Sequence, residues 1–150
     1  YKLVAVENEI GEIVPKIKVS ENTTKITNPH FKKVYRYFDN ESGKAIADEL
    51  CLYDEEVDAS KPRTIFDPNA TWKTKTITDF TVKELQVPIF KNGECVYNSP
   101  SINEIAEYCR EQVSLLWDEV KRFENPHNYY VDLSKKLYEI KSILLNVYGN

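Results

Sequence analysis

The chain of 150 residues has no methionine, four glycines, two histidines and three cysteines. Each scarcity removes a class of chemistry. Four scattered glycines leave no Gly-rich phosphate loop, and no Gly-x-Ser-x-Gly nucleophile elbow occurs. Cys51, Cys95 and Cys109 are odd in number and widely spaced, so they make neither a disulfide framework nor a zinc pattern. Reduced thiols in a cytoplasmic protein are expected. His30 and His127 each follow a proline in loop-like sequence, with no cysteine or carboxylate at metal-ligand spacing. No metal or nucleophilic role is assigned to either. No apolar run reaches the roughly 18 residues that a membrane-spanning helix takes, and no signal-peptide pattern is present. A net charge of −4 argues against a nucleic-acid partner, which would require a clustered basic surface.

What is present is ordinary for a globular chain: 41% hydrophobic and 29% charged residues. The missing methionine and the strand-like opening Tyr1–Val6 are those expected of a piece from the C-terminal part of a longer protein. The pattern predicts an α+β fold, with antiparallel strands and hairpins followed by a C-terminal antiparallel helix pair. Three segments are expected. Residues 1–53 read as a strand module. Residues 54–80 read as a connecting loop, pinned to the core by Ile65, Phe66 and Trp72. Residues 81–150 read as a hairpin plus two helices.

The local signals behind this are specific. Tyr1–Val6 and Val14–Val19 are β-rich and flank Gly11. Lys32–Phe38 and Ala45–Tyr53 flank Asn40-Glu41-Ser42-Gly43, a hairpin loop. Thr81–Phe90 and Glu94–Tyr97 flank Lys91-Asn92-Gly93, and Asn-Gly favours a tight hairpin because both residues tolerate positive φ. Ser101, with Glu104 three residues on, is a capping box. A helix follows with an apolar stripe at Ile102, Ile105, Cys109, Val113, Leu116, Val120 and Phe123, ending before Pro126. A second helix carries Leu133, Leu137, Ile140, Leu144 and Val147. Trp117 and Tyr129-Tyr130 fit the seam between these helices, or an aromatic anchor for a partner.

One polar stretch bears on function. "KIKVSENTTKITNP", residues 16–29, sets Lys18 and Lys25 around Ser20, Asn22, Thr23 and Thr24. Such residues collect in turns for their local backbone hydrogen bonds. They also suit an anion, since an ammonium serves phosphate as a compact point charge. The residues alone leave both readings open.

Several strings carry a resemblance: "YKLVAV", "KVSENTTKITNP" followed by "FKKVYR", "KAIAD", "TIFDP", "ELQVPIFKNG" and "LWDEVKRFENPHNYYVDLS". They cover nearly the whole chain, which resembles the C-terminal part of bacterial nicotinate phosphoribosyltransferases. The last string is the most specific. Where that family usually shows Pro-Gly, this chain has Pro29-His30.

The resemblance implies a parent enzyme of NAD biosynthesis. Such an enzyme joins nicotinate to phosphoribosyl pyrophosphate, giving nicotinate mononucleotide and pyrophosphate, with ATP, and with Mg as a further expected cofactor. ATP hydrolysis would act through a phosphorylated histidine on a barrel domain preceding Tyr1. His30 and His127 do not match it. No catalytic residue and no cofactor is therefore expected in this chain, which is expected to be inactive alone. Its implied partners are the barrel domain and N-terminal region of the parent, itself a homodimer, with no nucleic acid and no membrane. In related nicotinamide-specific enzymes, lysines of the equivalent strands approach the donor's phosphates. By that match Lys2, Lys18 and Lys25, with Ser20 nearby, are the expected phosphate-binding residues. The alternative is an independent helix-pair interaction module using the Trp117–Tyr130 aromatics. Strands parted from their neighbours expose edges, so self-association of the chain is expected.

Overall fold

The computed structural model describes residues 1–149. Its centre is a hairpin of two long strands, β3 (Lys32–Asp39) and β4 (Ala45–Leu52), paired antiparallel from Lys32↔Leu52 to Phe38↔Ala45. Side chains alternate faces along a strand. Lys33, Tyr35 and Tyr37 of β3 accordingly point inward. β4 is buried along most of its length because it is covered on both edges and by a helix.

Two short strands precede this hairpin, β1 (Ala5–Glu7) and β2 (Ile13–Pro15), paired antiparallel across a turn at Gly11. After it come β5 (Arg63–Asp67) and β6 (Ala70–Ile77), a second antiparallel hairpin. β7 (Phe80–Glu84) pairs with β3, and β8 (Phe90–Lys91) with β9 (Glu94–Cys95) brackets the Asn92-Gly93 turn. Both turn residues have positive φ, +51° and +82°, as the Asn-Gly signal requires. Helix α1 (Ile102–Ser114), a single turn α2 (Asp118–Lys121), β10 (Tyr130–Leu133) and α3 (Lys135–Tyr148) complete the chain. The sheet order is β10-β4-β3-β7, with β10 parallel to β4 and the other pairs antiparallel.

The core has two parts. One gathers Tyr35, Tyr37, Ala47, Cys51, Ile65, Ile77 and Phe80 between the sheet and the β5–β6 hairpin. The other joins Leu52, Leu133 and Leu137, with Leu50, Tyr138 and Ile140 packed around them. Full burial of a Leu or Ile side chain stabilises by roughly 1.5–3 kcal/mol. Ile65 and Leu137, both fully buried, therefore hold the hairpin and α3 to the sheet.

The structure corrects several expectations. Residues 63–77 form a hairpin rather than a loop, because Asp67-Pro68-Asn69 is its tip: the Asn69 amide donates to Asp67 Oδ1 at 2.8 Å. Ile65 anchors it and Phe66 packs edge-on to Tyr138, but Trp72 is 79% exposed and pins nothing. The four-stranded sheet joins β3 and β4 to β7, which begins at Phe80, and to β10.

The expected long helix stops at Ser114. Its capping box is present, with Ser101 and Glu104 bonded reciprocally. At its far end the carbonyls of Ser114 and Leu115 accept from Lys44 Nζ and the Ala45 amide, so the β3–β4 turn takes up the helix terminus. No extensive packing of α1 on α3 bears out the expected antiparallel helix pair among the described residues. Leu133 belongs to β10, α3 packs on β4, and α1 buries no residue. The α1 stripe faces outward, with Ile102 85% exposed.

Candidate functional site

The polar stretch 16–29 folds as a turn that ties its own ends together. Asn22 caps a 3₁₀ turn over Thr23–Lys25, its Oδ1 accepting from the Thr24 amide at 3.0 Å and the Thr24 hydroxyl at 2.6 Å. Further out, the Lys18 amide donates to the Thr27 hydroxyl at 3.0 Å. Lys141 on α3 donates to Asn28 Oδ1 at 2.7 Å, and burial lowers the pKa of that ammonium. Pro29 is fully buried behind the turn. The loop is therefore fixed to the body of the domain at one end.

His30 then closes the path back to the first strands. Its amide donates to the Val4 carbonyl at 2.7 Å, and that carbonyl also accepts from Lys16. The geometry needs a left-handed backbone, and His30 has φ +77°. The position at which the family resemblance leads one to expect glycine is thus one that favours glycine. The histidine occupies it at a backbone cost, with Nδ1 3.2 Å from the Phe31 carbonyl.

The four expected phosphate residues are distributed as follows. Lys2, Lys18 and Lys25 are exposed, and Ser20 is half-buried. None of the three lysines forms an ion pair among the described residues. Lys18 and Lys25 share the capped turn, and Lys2 lies before β1. Asn22, Thr24 and Thr27 spend their polar groups on the turn itself. The arrangement can offer positive charge on a supported loop.

The interior carries charge that serves architecture. Glu49 is 1% exposed and accepts from Arg63 Nε and Nη2 at 3.0 and 2.8 Å, and from the Tyr37 hydroxyl. Burial, then the Glu49 charge, pushes the Tyr37 phenol above its usual range. Asp48 holds Arg36 in a two-bond fork at 2.7 and 2.8 Å, and its Oδ1 also accepts from Tyr129 at 2.9 Å. Tyr129 is thus bonded to the sheet, not placed in a helix seam. Glu55 accepts from the Leu52 amide and from the Ser134 hydroxyl at 2.8 and 2.6 Å. Ser134 is in turn the N-cap of α3. Burial raises the Cys51 thiol well above its ordinary value, which disfavours the thiolate.

Among the described residues no group of three His, Cys, Asp or Glu side chains is placed to hold a metal ion. Nor, among the described residues, is any helix long and apolar enough to cross a membrane. Sequence reasoning missed Asp132, a buried acid on β10 whose Oδ2 has no partner. A lone acid in a four-residue strand gives no periodic signal by which to find it.

The fold is a small α+β domain with buried ion pairs inside and a lysine-bearing turn on its surface. The family model described as nicotinate phosphoribosyltransferase C-terminal domain matches residues 31–141, and the chain belongs to that family. It is 39% identical, over 95% of its length, to nicotinate phosphoribosyltransferase of Bacillus subtilis (strain 168). It is 36% identical to the Caenorhabditis elegans protein of that name over 93% of the chain. These alignments span 30% and 24% of the two relatives, so the chain corresponds to less than a third of either. Its fold is similar to part of a crystal structure of human nicotinic acid phosphoribosyltransferase. That match has a TM-score of 0.66 at 24% identity, covering 83% of this chain and 24% of that one.

Proposed function

We propose that the chain is the C-terminal portion of a nicotinate phosphoribosyltransferase. The parent enzyme would form nicotinate mononucleotide and pyrophosphate from nicotinate and phosphoribosyl pyrophosphate, with ATP hydrolysis, in NAD biosynthesis. The observation that carries this reading is the alignment of nearly the whole chain with enzymes of that name, at up to 39% identity among those compared, together with the C-terminal domain match over residues 31–141.

In this reading the chemistry belongs to a barrel that the chain lacks, and ATP and Mg act there. The first strands pack against the N-terminal region of the parent, itself a homodimer. Lys2, Lys18 and Lys25, with Ser20, lend positive charge to the phosphates of the ribosyl donor. The support for this is the exposed, unpaired state of the three ammonium groups and the rigid turn beneath two of them. Fixed charge of this kind stabilises a departing anion without reorganising at the moment of reaction.

The chain alone is then inactive. Incubation with nicotinate, phosphoribosyl pyrophosphate, ATP and Mg, followed by chromatography for nicotinate mononucleotide, should give none above the protein-free control. Turnover by the isolated chain would contradict the reading that the catalytic site lies elsewhere. The independent helix-pair module is the second reading: Trp117 and Tyr130 are exposed, as a partner anchor needs, but among the described residues no extensive α1–α3 packing supports the pair itself.

A further inference from the structure

An open cleft of about 1030 Å³ lies between the β5–β6 hairpin and residues 126–132. Asp132 lines it. That residue is only 4% exposed, yet its Oδ2 has no hydrogen-bond partner. Leaving a buried carboxylate oxygen unpaired is costly, and such groups are normally satisfied. Here the neighbouring charges worsen the cost. Burial, then Asp67, then Glu49, push the Asp132 carboxyl up to about 6.

The nearby cations do not answer it. Arg63 is committed to Glu49 through two bonds. Lys73 and Lys75 also border the cleft but stand on the exposed run of β6. The Lys75 ammonium sits 5.1 Å from the Tyr130 ring centroid rather than on Asp132. His127 borders the cleft as well, with its amide bonded to the Glu119 carbonyl. Asp67, the second acid of the lining, accepts the Asn69 amide on one oxygen.

We propose that this cleft binds an organic cation, with a guanidinium or ammonium group seated on the orphaned Asp132 carboxylate beside Asp67. The chemistry follows from the lining. Two carboxylates without a third metal donor suit an N–H donor better than a metal ion. The Trp72 side chain borders the same space and favours a flat or cationic group. Either a basic side chain carried on a polypeptide or a free small cation has this chemistry.

The test is the titration of the Asp132 carboxyl in the 150-residue chain, followed by carbon-13 NMR. The probes are N-acetyl-arginine amide, its neutral isostere N-acetyl-citrulline amide, and methylguanidinium, at matched ionic strength. The arginine compound should lower the Asp132 midpoint by about one pH unit, a tenfold preference for the charged carboxylate. The citrulline compound should leave it in place. Asp132→Asn should abolish binding of the arginine compound, and Asp67→Asn should weaken it severalfold. Tighter binding of the arginine amide than of methylguanidinium identifies a protein side chain as the source. Equal binding identifies a free cation. An Asp132 titration that moves alike with arginine and citrulline compounds, or not at all, overturns the proposal, and it needs no variant to fold.

Discussion

The backbone amide of Lys18 donates to the side-chain hydroxyl of Thr27, nine positions further along the chain. With the Asn22 cap between them, this bond fixes a loop whose lysine side chains stay free. Structural duty thus falls on Asn22, Thr24 and Thr27, and the lysines are spared it. Lys18→Ala and Lys25→Ala should each change the stability of the chain by no more than about 0.5 kcal/mol, read from urea unfolding midpoints. In the intact parent enzyme, losing a charge-assisted phosphate bond should cut kcat/KM for phosphoribosyl pyrophosphate roughly tenfold to a hundredfold. Unchanged kinetics would reduce the stretch to a polar turn.

His30 is expected to be a removable burden. An L-residue in the left-handed region costs about 1–2 kcal/mol, while glycine's extra unfolded-state freedom returns about 0.5–1 of it. His30→Gly should therefore stabilise the chain by about 0.5–1 kcal/mol, seen as a melting temperature higher by roughly 1–4 °C for a domain of this size. A lower melting temperature would mean that the ring's approach to the Phe31 carbonyl outweighs the backbone strain.

Arg63 is the reverse case. Among the described residues no other arginine bonds to Glu49, which is 1% exposed. Arg63→Ala leaves that carboxylate buried with Tyr37 alone and should destabilise by roughly 3–5 kcal/mol. Adding Glu49→Gln should recover part of the loss, because the unpaired charge is gone. Equal damage from the single and double variants would show that the arginine acts through packing.

Several large apolar side chains have nothing over them: Ile102 on α1 is 85% exposed, Phe123 101% and Phe90 69%. β7 is also an edge of the sheet. Uncovered apolar surface and unpaired edges both promote association. Sedimentation of the isolated chain should show concentration-dependent association. A strictly monomeric profile at high concentration would contradict this.

Elements set by local signals were legible in the sequence. The β3–β4 hairpin, the Asn92-Gly93 turn and the Ser101–Glu104 cap each depend on residues within a few positions of one another. Elements set by distant partners were not. Tyr130–Leu133 becomes a strand only because it lies parallel to Ala47–Leu50, some eighty residues away. The apolar stripe of α1 continues in sequence past Ser114, yet the helix ends where the Lys44 and Ala45 donors meet its carbonyls. The site was legible in part. The residues of the turn could be named, but not that its hydroxyls would be spent internally. Asp132 gave no sign, since the charge around it is assembled from β4, β5 and β10.

The most direct test of the account exchanges the equivalent C-terminal 30% of the Bacillus subtilis enzyme for this chain and measures nicotinate mononucleotide formation. If the chain is the C-terminal portion of the same kind of enzyme, the soluble chimera should retain turnover within about tenfold of the intact enzyme, while the remainder without either C-terminal part should have none. A folded, soluble chimera with no activity above that remainder would contradict the assignment.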